Sequence, residues 1–452
     1  MKALSFLIAP TLLSGALFSA TPAWGDDLLS LYREAVQADA NFLATQADTR
    51  AKREAGPQAL ANLLPNLSFG GSVSRNSVDW EQKYSSGSNP SDTTNYKSHD
   101  YGVSLRQPVF RPAAYAAYKQ AQAHVESVDA SLQWAEQEIG TRVGAAYFDV
   151  LLAESELEVT KAQRDAYLTQ LDYAQKAFQT GAGTRTDIDE ARSQLDLAVA
   201  QTLELQYRLK YAQDALAAII DRPLTGLARL SPDRMQLVVP DPPRVEDWIR
   251  QAEEVNPQLI GLRANVESAN RNVDRMLSGH LPTLDLMARR SKSQSRGAST
   301  GYDSENKETT TMYGVQFDMP LFSGGATQST VRQARAEWDK TKQQLEATRR
   351  DIGLQIRKEF DGVVQGVSWV RAYDQAVKSA EQALQSTRKG FQAGTRSTLD
   401  ILTANQNLAT ARRDLNRGRY QYVLSQLRLL SLVGRLNEQE IGRFNGWLEA
   451  RE

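Results

Sequence analysis

Between Pro112 and Phe178 the chain contains no further proline, and Ala, Gln, Glu, Lys, Leu and Tyr dominate. Apolar residues recur there at helical spacing: Ile139, Val143, Tyr147 and Val150 step by four, four and three, with Ala121, Leu132, Ala135 and Leu151 near the same stripe. A helix over residues 112–178 is about 100 Å long at 1.5 Å per residue. A globular domain has no room for such a rod, and its apolar stripe needs neighbours along its length. The chain must therefore be elongated.

The same stretch recurs. Residues 326–390 superpose on the first without gaps at a constant offset of 213, so that Ile139, Val143, Tyr147 and Val150 fall on Ile352, Ile356, Phe360 and Val363. Each long helix ends in a similar break. The first reads Phe178-Gln179-Thr180-Gly181 with Thr186-Asp187-Ile188; the second reads Phe391-Gln392-Ala393-Gly394 with Thr398-Leu399-Asp400-Ile401. Both run on into Ala191/Ala404 and Leu195/Leu408. Matches at one fixed offset mark an internal duplication. Two unrelated amphipathic helices do not explain the shared Phe, Gly and Asp outside the helices.

The 53 basic and 54 acidic residues balance to a formal charge of −1, which argues against a nucleic-acid partner. Lys2, an apolar run to Ala20 and small residues at Ala23 and Gly25 predict a signal peptide over 1–25. With no cysteine, an exported chain has neither a disulfide scaffold nor a lipid-modified cysteine at a mature N-terminus. No later stretch approaches the roughly 20 apolar residues of a spanning helix. The mature protein is thus either soluble or crosses a membrane by strands.

Along the chain, residues 27–62 read as a helix, with a local bend at Gly56-Pro57. At Pro65 the period changes to two. Leu67, Phe69 and Val73 alternate with small polar residues; a polar stretch fills 76–100; then Tyr101, Val103 and Leu105 alternate with Gly102, Ser104 and Arg106. The second half repeats this with Leu284, Leu286 and Ala288, a polar loop over 294–311, and Tyr313, Val315, Phe317 and Met319. Strands of about ten residues suit a tilted bilayer crossing, apolar side outward. An amphipathic hairpin on a soluble core is the alternative for either pair alone. Four strands cannot close a barrel, and open edges cannot face lipid. Spanning strands therefore require oligomerisation, and three copies supply twelve strands.

Returning helices follow each break, with heptad-like series from Leu195 to Ile219 and from Leu408 to Leu432 suited to packing on the long helices. The fold class is mainly α with transmembrane β, a duplicated unit of strand pair plus long helix. The first repeat spans 26–220 with its hairpin at 65–108, and a Pro-rich linker spans 221–243. The second repeat spans 244–434 with its hairpin at 282–320, and a short polar tail spans 435–452. Asp39-Ala40-Asn41-Phe42 in the first repeat is answered by Asn256-Pro257-Gln258-Leu259 in the second.

Little here suggests an enzyme. His99, His124 and His280 have no metal-ligand spacing, and neither a phosphate-cradling loop nor a nucleophile elbow is present. We expect no catalytic residue, no metal and no cofactor, and we read the many carboxylates as solvated helix faces. The polar residues of interest sit at the breaks. Gly181 and Gly394 interrupt the helices, while Thr186, Asp187, Thr398 and Asp400 are placed to cap the returning ones. Capping leaves Arg185 and Arg396 unexplained, since cations are disfavoured at a helix start.

With these features in place, the sequence resembles the TolC family of outer-membrane efflux and secretion channels over essentially the whole mature chain. The most specific parts run from Phe178 through Arg192 and from Phe391 through Ala404; Tyr422 and residues 432–438 agree as well. The resemblance implies a homotrimer with a twelve-stranded outer-membrane barrel continuous with a periplasmic α-helical barrel. It also implies a periplasmic adaptor (membrane fusion) protein and an inner-membrane ABC or proton-driven transporter as partners. The missing cysteine is more like the secretion and general-export branch than the lipid-anchored one.

Carried over by motif, Thr186, Asp187, Phe391 and Arg396 form a latch that closes the periplasmic entrance, and Asp400 forms an aspartate ring. Phe391 stands where the family's tyrosine adds a hydroxyl link, and Thr403 stands where a second aspartate deepens the ring. Both departures imply a weaker entrance. The reading is a passive exit duct in the outer membrane, its tunnel in the periplasm and its strands against outer-membrane lipid. A periplasmic coiled-coil structural or adaptor protein without a pore is the alternative; it accounts for the helices but not for the strands.

Overall fold

Two helices of 68 and 67 residues set the long axis of the molecule. The computed structural model describes residues 26–81, 84–85, 87, 91–298 and 303–449; the expected signal peptide, parts of both hairpin tips and the last three residues lie outside them. The first half runs α1 (Leu28–Ala38), α2 (Ala40–Arg53), α3 (Ala55–Ala61), β1 (Asn66–Glu81), β2 (Ser91–Phe110), α4 (Pro112–Gln179) and α5 (Arg185–Ile220). After β3 (Arg229–Leu230), the second half runs α6 (Val245–Val255), α7 (Pro257–Leu277), β4 (Thr283–Ala298), β5 (Asp303–Asp318), α8 (Ala326–Gln392) and α9 (Thr398–Leu432). The chain closes with α10 (Glu438–Asn445) and β6 (Leu448–Glu449).

Pro112 opens α4 at the one place where a missing N–H costs nothing. The stripe seen in the sequence is the buried one. Ile139, Val143, Tyr147 and Val150 are all at most 1% exposed, and their counterparts Ile352, Ile356, Phe360 and Val363 are buried too. They meet Leu216 of α5 and Tyr422, Leu427 and Leu429 of α9 in one elongated core.

The N-terminal helical region differs from the single helix read over 27–62. It breaks at Asp39, whose backbone is extended and whose carboxylate accepts from Phe42 N at 2.7 Å and pairs with Arg142 at 2.6 Å. Asn256 makes the matching corner, accepting from Leu259 N at 3.1 Å while donating to Leu432 O at 2.7 Å. The four-residue likeness between the halves is thus a repeated helix–cap–helix corner. A further turn comes at Glu54, ahead of Gly56-Pro57.

The strands are longer than the alternation of apolar residues indicated. β1, β4 and β5 have 16 residues and β2 has 20, so most of both polar stretches read as loops is paired backbone. All pairings are antiparallel, in the order β1-β2-β4-β5, and β2–β4 joins the two hairpins. Leu67, Phe69, Val315 and Phe317 stand 62–74% exposed on one face of this sheet. At its base Asp285 is buried and accepts from Arg106 at 2.6 Å and from Arg111 at 2.8 Å, which ties the sheet to the start of α4.

The segments read as linker and polar tail pack together. β3 pairs with β6, and Ile441, Phe444, Trp447 and Leu448 are buried, with the Phe444 and Trp447 rings edge-to-face at 5.1 Å. Residues of 221–243 fasten to the helices through two tyrosines. Tyr147 donates to Ala228 O at 2.7 Å; Tyr422 accepts from Val238 N at 2.9 Å and from Gln426 at 2.8 Å. Tyr422→Phe removes the acceptor of this part-buried N–H and leaves the buried Gln426 amide unpaired, a loss of about 1–3 kcal/mol. Thermal unfolding followed by circular dichroism should show a midpoint several degrees lower, and an unchanged midpoint would contradict this account.

Candidate functional site: the paired helix breaks

The two long helices end in the same way at the same offset. Gly181 (φ 75°) and Gly394 (φ 73°) adopt the left-handed conformation that only glycine takes cheaply. Ala182 N donates to Ala177 O at 2.8 Å and Gly181 N to Phe178 O at 3.0 Å. Thr395 N donates to Gly390 O at 2.8 Å and Gly394 N to Phe391 O at 3.0 Å. These bonds satisfy the last carbonyls of each helix and reverse the chain in a few residues.

Each returning helix then starts with a capping box. Thr184 Oγ1 accepts from Asp187 N at 3.2 Å, while the Asp187 carboxylate accepts from Thr184 N at 2.9 Å. Ser397 Oγ accepts from Asp400 N at 3.2 Å, and Asp400 accepts from Ser397 N at 2.8 Å. The caps are therefore Thr184 and Ser397, with both aspartates at the third helical position, in place of the capping by Thr186 and Thr398 expected from sequence. Thr186 lies in the first turn of α5; Thr398 is buried at the start of α9, and its hydroxyl supports the Asp187 carboxylate from the other break.

The two arginines that capping left unexplained have partners. Arg185 lies 3.4 Å from Asp189 and Arg396 lies 3.8 Å from Asp400, each one turn along its own helix. Within one chain, then, Arg396 pairs with Asp400. Phe391 meets the Tyr173 ring edge-to-face at 5.2 Å, linking α8 to α4. A small separate core of Tyr167, Leu171, Ala174, Ile188, Ala191, Ala198 and Leu402 lies beside the breaks.

One buried charge contradicts the reading of the carboxylates as solvated faces. Glu156 of α4 is 3% exposed and divides its two oxygens between Arg208 of α5, at 3.1 Å, and Arg417 of α9, at 3.0 Å. A single carboxylate thus holds both returning helices against the long one. Its position between Ala153 and Leu157, on the stripe that carries Val150, was the available signal.

The outer membrane efflux protein family matches residues 31–221 and 248–435, one stretch in each half. The chain is 32% identical over 416 residues to the alkaline protease secretion protein AprF of Pseudomonas aeruginosa, covering 92% of this chain and 85% of that protein. It is 30% identical over 431 residues to the outer membrane protein TolC of Escherichia coli, covering 94% and 85%. Among solved structures, the outer membrane protein VceC of Vibrio cholerae superposes with a TM-score of 0.75 at 20% identity, covering 90% of this chain and 96% of that one.

The long helices and the family match together define an outer-membrane export conduit. The chain belongs to the outer membrane efflux protein family. It is a passive outer-membrane duct that spans the periplasm, and not an enzyme.

Hydrogen bonds from the Thr184 hydroxyl and amide hold Asp187 below the usual carboxylate range, and those from the Ser397 amide and hydroxyl do the same for Asp400. Because both folded pKa values lie below the unfolded value of about 3.9, the caps contribute fully above that pH and are lost as pH falls through the folded values. Amide protection factors over residues 185–190 and 398–403 should therefore stay level from about pH 8 to 5 and drop only below about pH 4. A decline centred near pH 6 would contradict the assignment.

Proposed function

We propose that three copies pool their sheets into a closed twelve-stranded barrel, and that α4, α5, α8 and α9 of each copy continue it as a periplasmic helical barrel. The observation that carries this reading is a four-stranded antiparallel sheet with two open edges and an exposed apolar face, set at the end of helices about 100 Å long. Support also comes from α5, where Val199, Leu203, Tyr207 and Tyr211, four residues apart, form an exposed row suited to a neighbouring subunit. A periplasmic rod without a pore gives the sheet's apolar face nothing to meet.

In this reading outer-membrane lipid surrounds the sheet, and the breaks, at the far end, meet a periplasmic adaptor fed by an inner-membrane ABC or proton-driven transporter. The names of AprF and of PrtF of Dickeya chrysanthemi, 30% identical over 427 residues, speak of protease secretion, and a secreted protein is a fitting cargo here.

The entrance follows from the breaks. Arg396 holds Asp400 only loosely, at 3.8 Å in solvent, which leaves its planar fork free to reach Asp187 of a neighbouring subunit when the trimer closes. Thr186 and Phe391 flank this latch, and three copies of Asp400 form the ring that draws cations to the axis. The test is single-channel conductance in planar bilayers. Arg396→Ser should raise conductance by loosening the closed state, whereas Asp400→Ala should mainly lower cation selectivity. Unchanged conductance in Arg396→Ser would remove the latch, and reduced conductance would reverse its sign.

A further inference from the structure

The outward face of the sheet does not stay apolar. In β1, Leu67, Phe69 and Val73 are followed on the same face by Arg75; in β2, Leu105, Val103 and Tyr101 are followed by His99 and Lys97. In β4, Leu284, Leu286 and Ala288 give way to Arg290, Lys292 and, past Gln294, Arg296. In β5, past Tyr313, the face carries Thr311, Thr309 and Lys307. On β1, β2 and β4 the apolar band therefore gives way to cations, and on β5 to threonines and then Lys307, on the side away from the long helices.

The register sets these charges against one another. Arg75 lies opposite Lys97, and Lys97 lies opposite Arg296, so three cations occupy one row across adjacent strands. Like charges directly opposite one another destabilise a sheet. The next residue in the row is Glu305, which is engaged by Lys307 at 3.2 Å and by Gln294. Among the described residues, no ion pair neutralises Arg75, Lys97, Arg290 or Lys292. Hydroxyl donors stand beside the last two: Lys292 is opposite Tyr101 and Thr309, and Arg290 is opposite Thr311. The other face at this height carries serines, including Ser98, Ser293 and Ser295, and the carboxylates Asp100 and Glu308, but no cation. The unpaired cations are thus concentrated on the face that carries the apolar band.

We infer that this band binds the phosphate groups of the anionic glycolipid in the outer leaflet. The inference rests on the reading of this face as lipid-facing. Strands lie about 4.8 Å apart, so the Arg75–Lys97–Arg296 row spans about 10 Å, wide enough to meet two phosphates of one headgroup. Arginine forks suit phosphate oxygens, and bound phosphate removes the repulsion that the register builds in. The lipid then acts as a counter-charge that holds adjacent strands in register at the membrane surface.

The experiment titrates the purified full-length assembly in detergent with lipid A carrying two phosphates and with its dephosphorylated form. The wild type should prefer the phosphorylated form at least tenfold. Arg75→Gln/Lys97→Gln/Arg296→Gln should reduce that preference to within twofold, and Arg289→Gln, on the opposite face, should leave it intact. Glu305→Gln removes the carboxylate of the row and should tighten binding several-fold, which keeps the test decisive if the triple variant fails to assemble. No preference in the wild type, retained preference in an assembled triple variant, or unchanged binding in Glu305→Gln each overturns the inference. Insertion of the same samples into phosphatidylcholine liposomes separates the two readings. A wild type that does not insert contradicts the lipid-facing assignment, whereas insertion without phosphate preference overturns only the lipid site.

Discussion

A strand edge in hydrocarbon leaves its N–H and C=O groups without water or backbone partners, at a cost of several kcal/mol for each group. β1 and β5 are open edges within one chain: each pairs on one side only, and each belongs to a sheet whose apolar residues are exposed. Much of the rest of the structure can be read from that constraint. In the proposed membrane reading, closure requires more strands than one chain has, and assembly of several copies supplies them. In that reading each copy delivers its long helices to a common axis; within one chain the Asp285–Arg106–Arg111 cluster fixes where the sheet gives way to helix.

The helical part solves a different problem. Rods about 100 Å long cannot be held by a single compact core, and the interior is accordingly drawn out along α4 and α8. Polar contacts add fixed points along it: the Asp39–Arg142 and Asn256 corners, the Tyr147 and Tyr422 hydroxyls that bind residues 221–243, and Glu156 with its two arginines. The breaks, by contrast, rest on backbone geometry, two capping boxes and a small apolar cluster. Fewer buried contacts hold this end, which suits the opening proposed for it.

Much of this was legible in the residues, because duplication lets one half check the other. The fixed offset identified both long helices and placed Gly181 with Gly394 and Asp187 with Asp400. What escaped had physical reasons. The strands run into serine- and asparagine-rich sequence with polar residues on both faces, so composition suggested loop where backbone pairing continues to Glu81 and from Ser91. The caps fall on Thr184 and Ser397 because the hydroxyl three residues before each aspartate closes the box, whereas Thr186 and Thr398 already lie within the first helical turn. Glu156 was hidden among many solvated carboxylates, since sequence alone does not reveal which arginines from distant helices arrive beside it. The polar appearance of residues 435–449 concealed Ile441, Phe444 and Trp447, whose burial depends on pairing with residues 229–230.

Hydrogen exchange at the sheet edges tests the closure directly. In purified detergent-solubilised protein, the amides of β1 and β5 should exchange as slowly as those of β2, which is paired on both sides within one chain. Native mass spectrometry of the same sample should show three chains per particle. Fast exchange at alternate positions of β1 and β5, in a particle of one chain, would contradict the account.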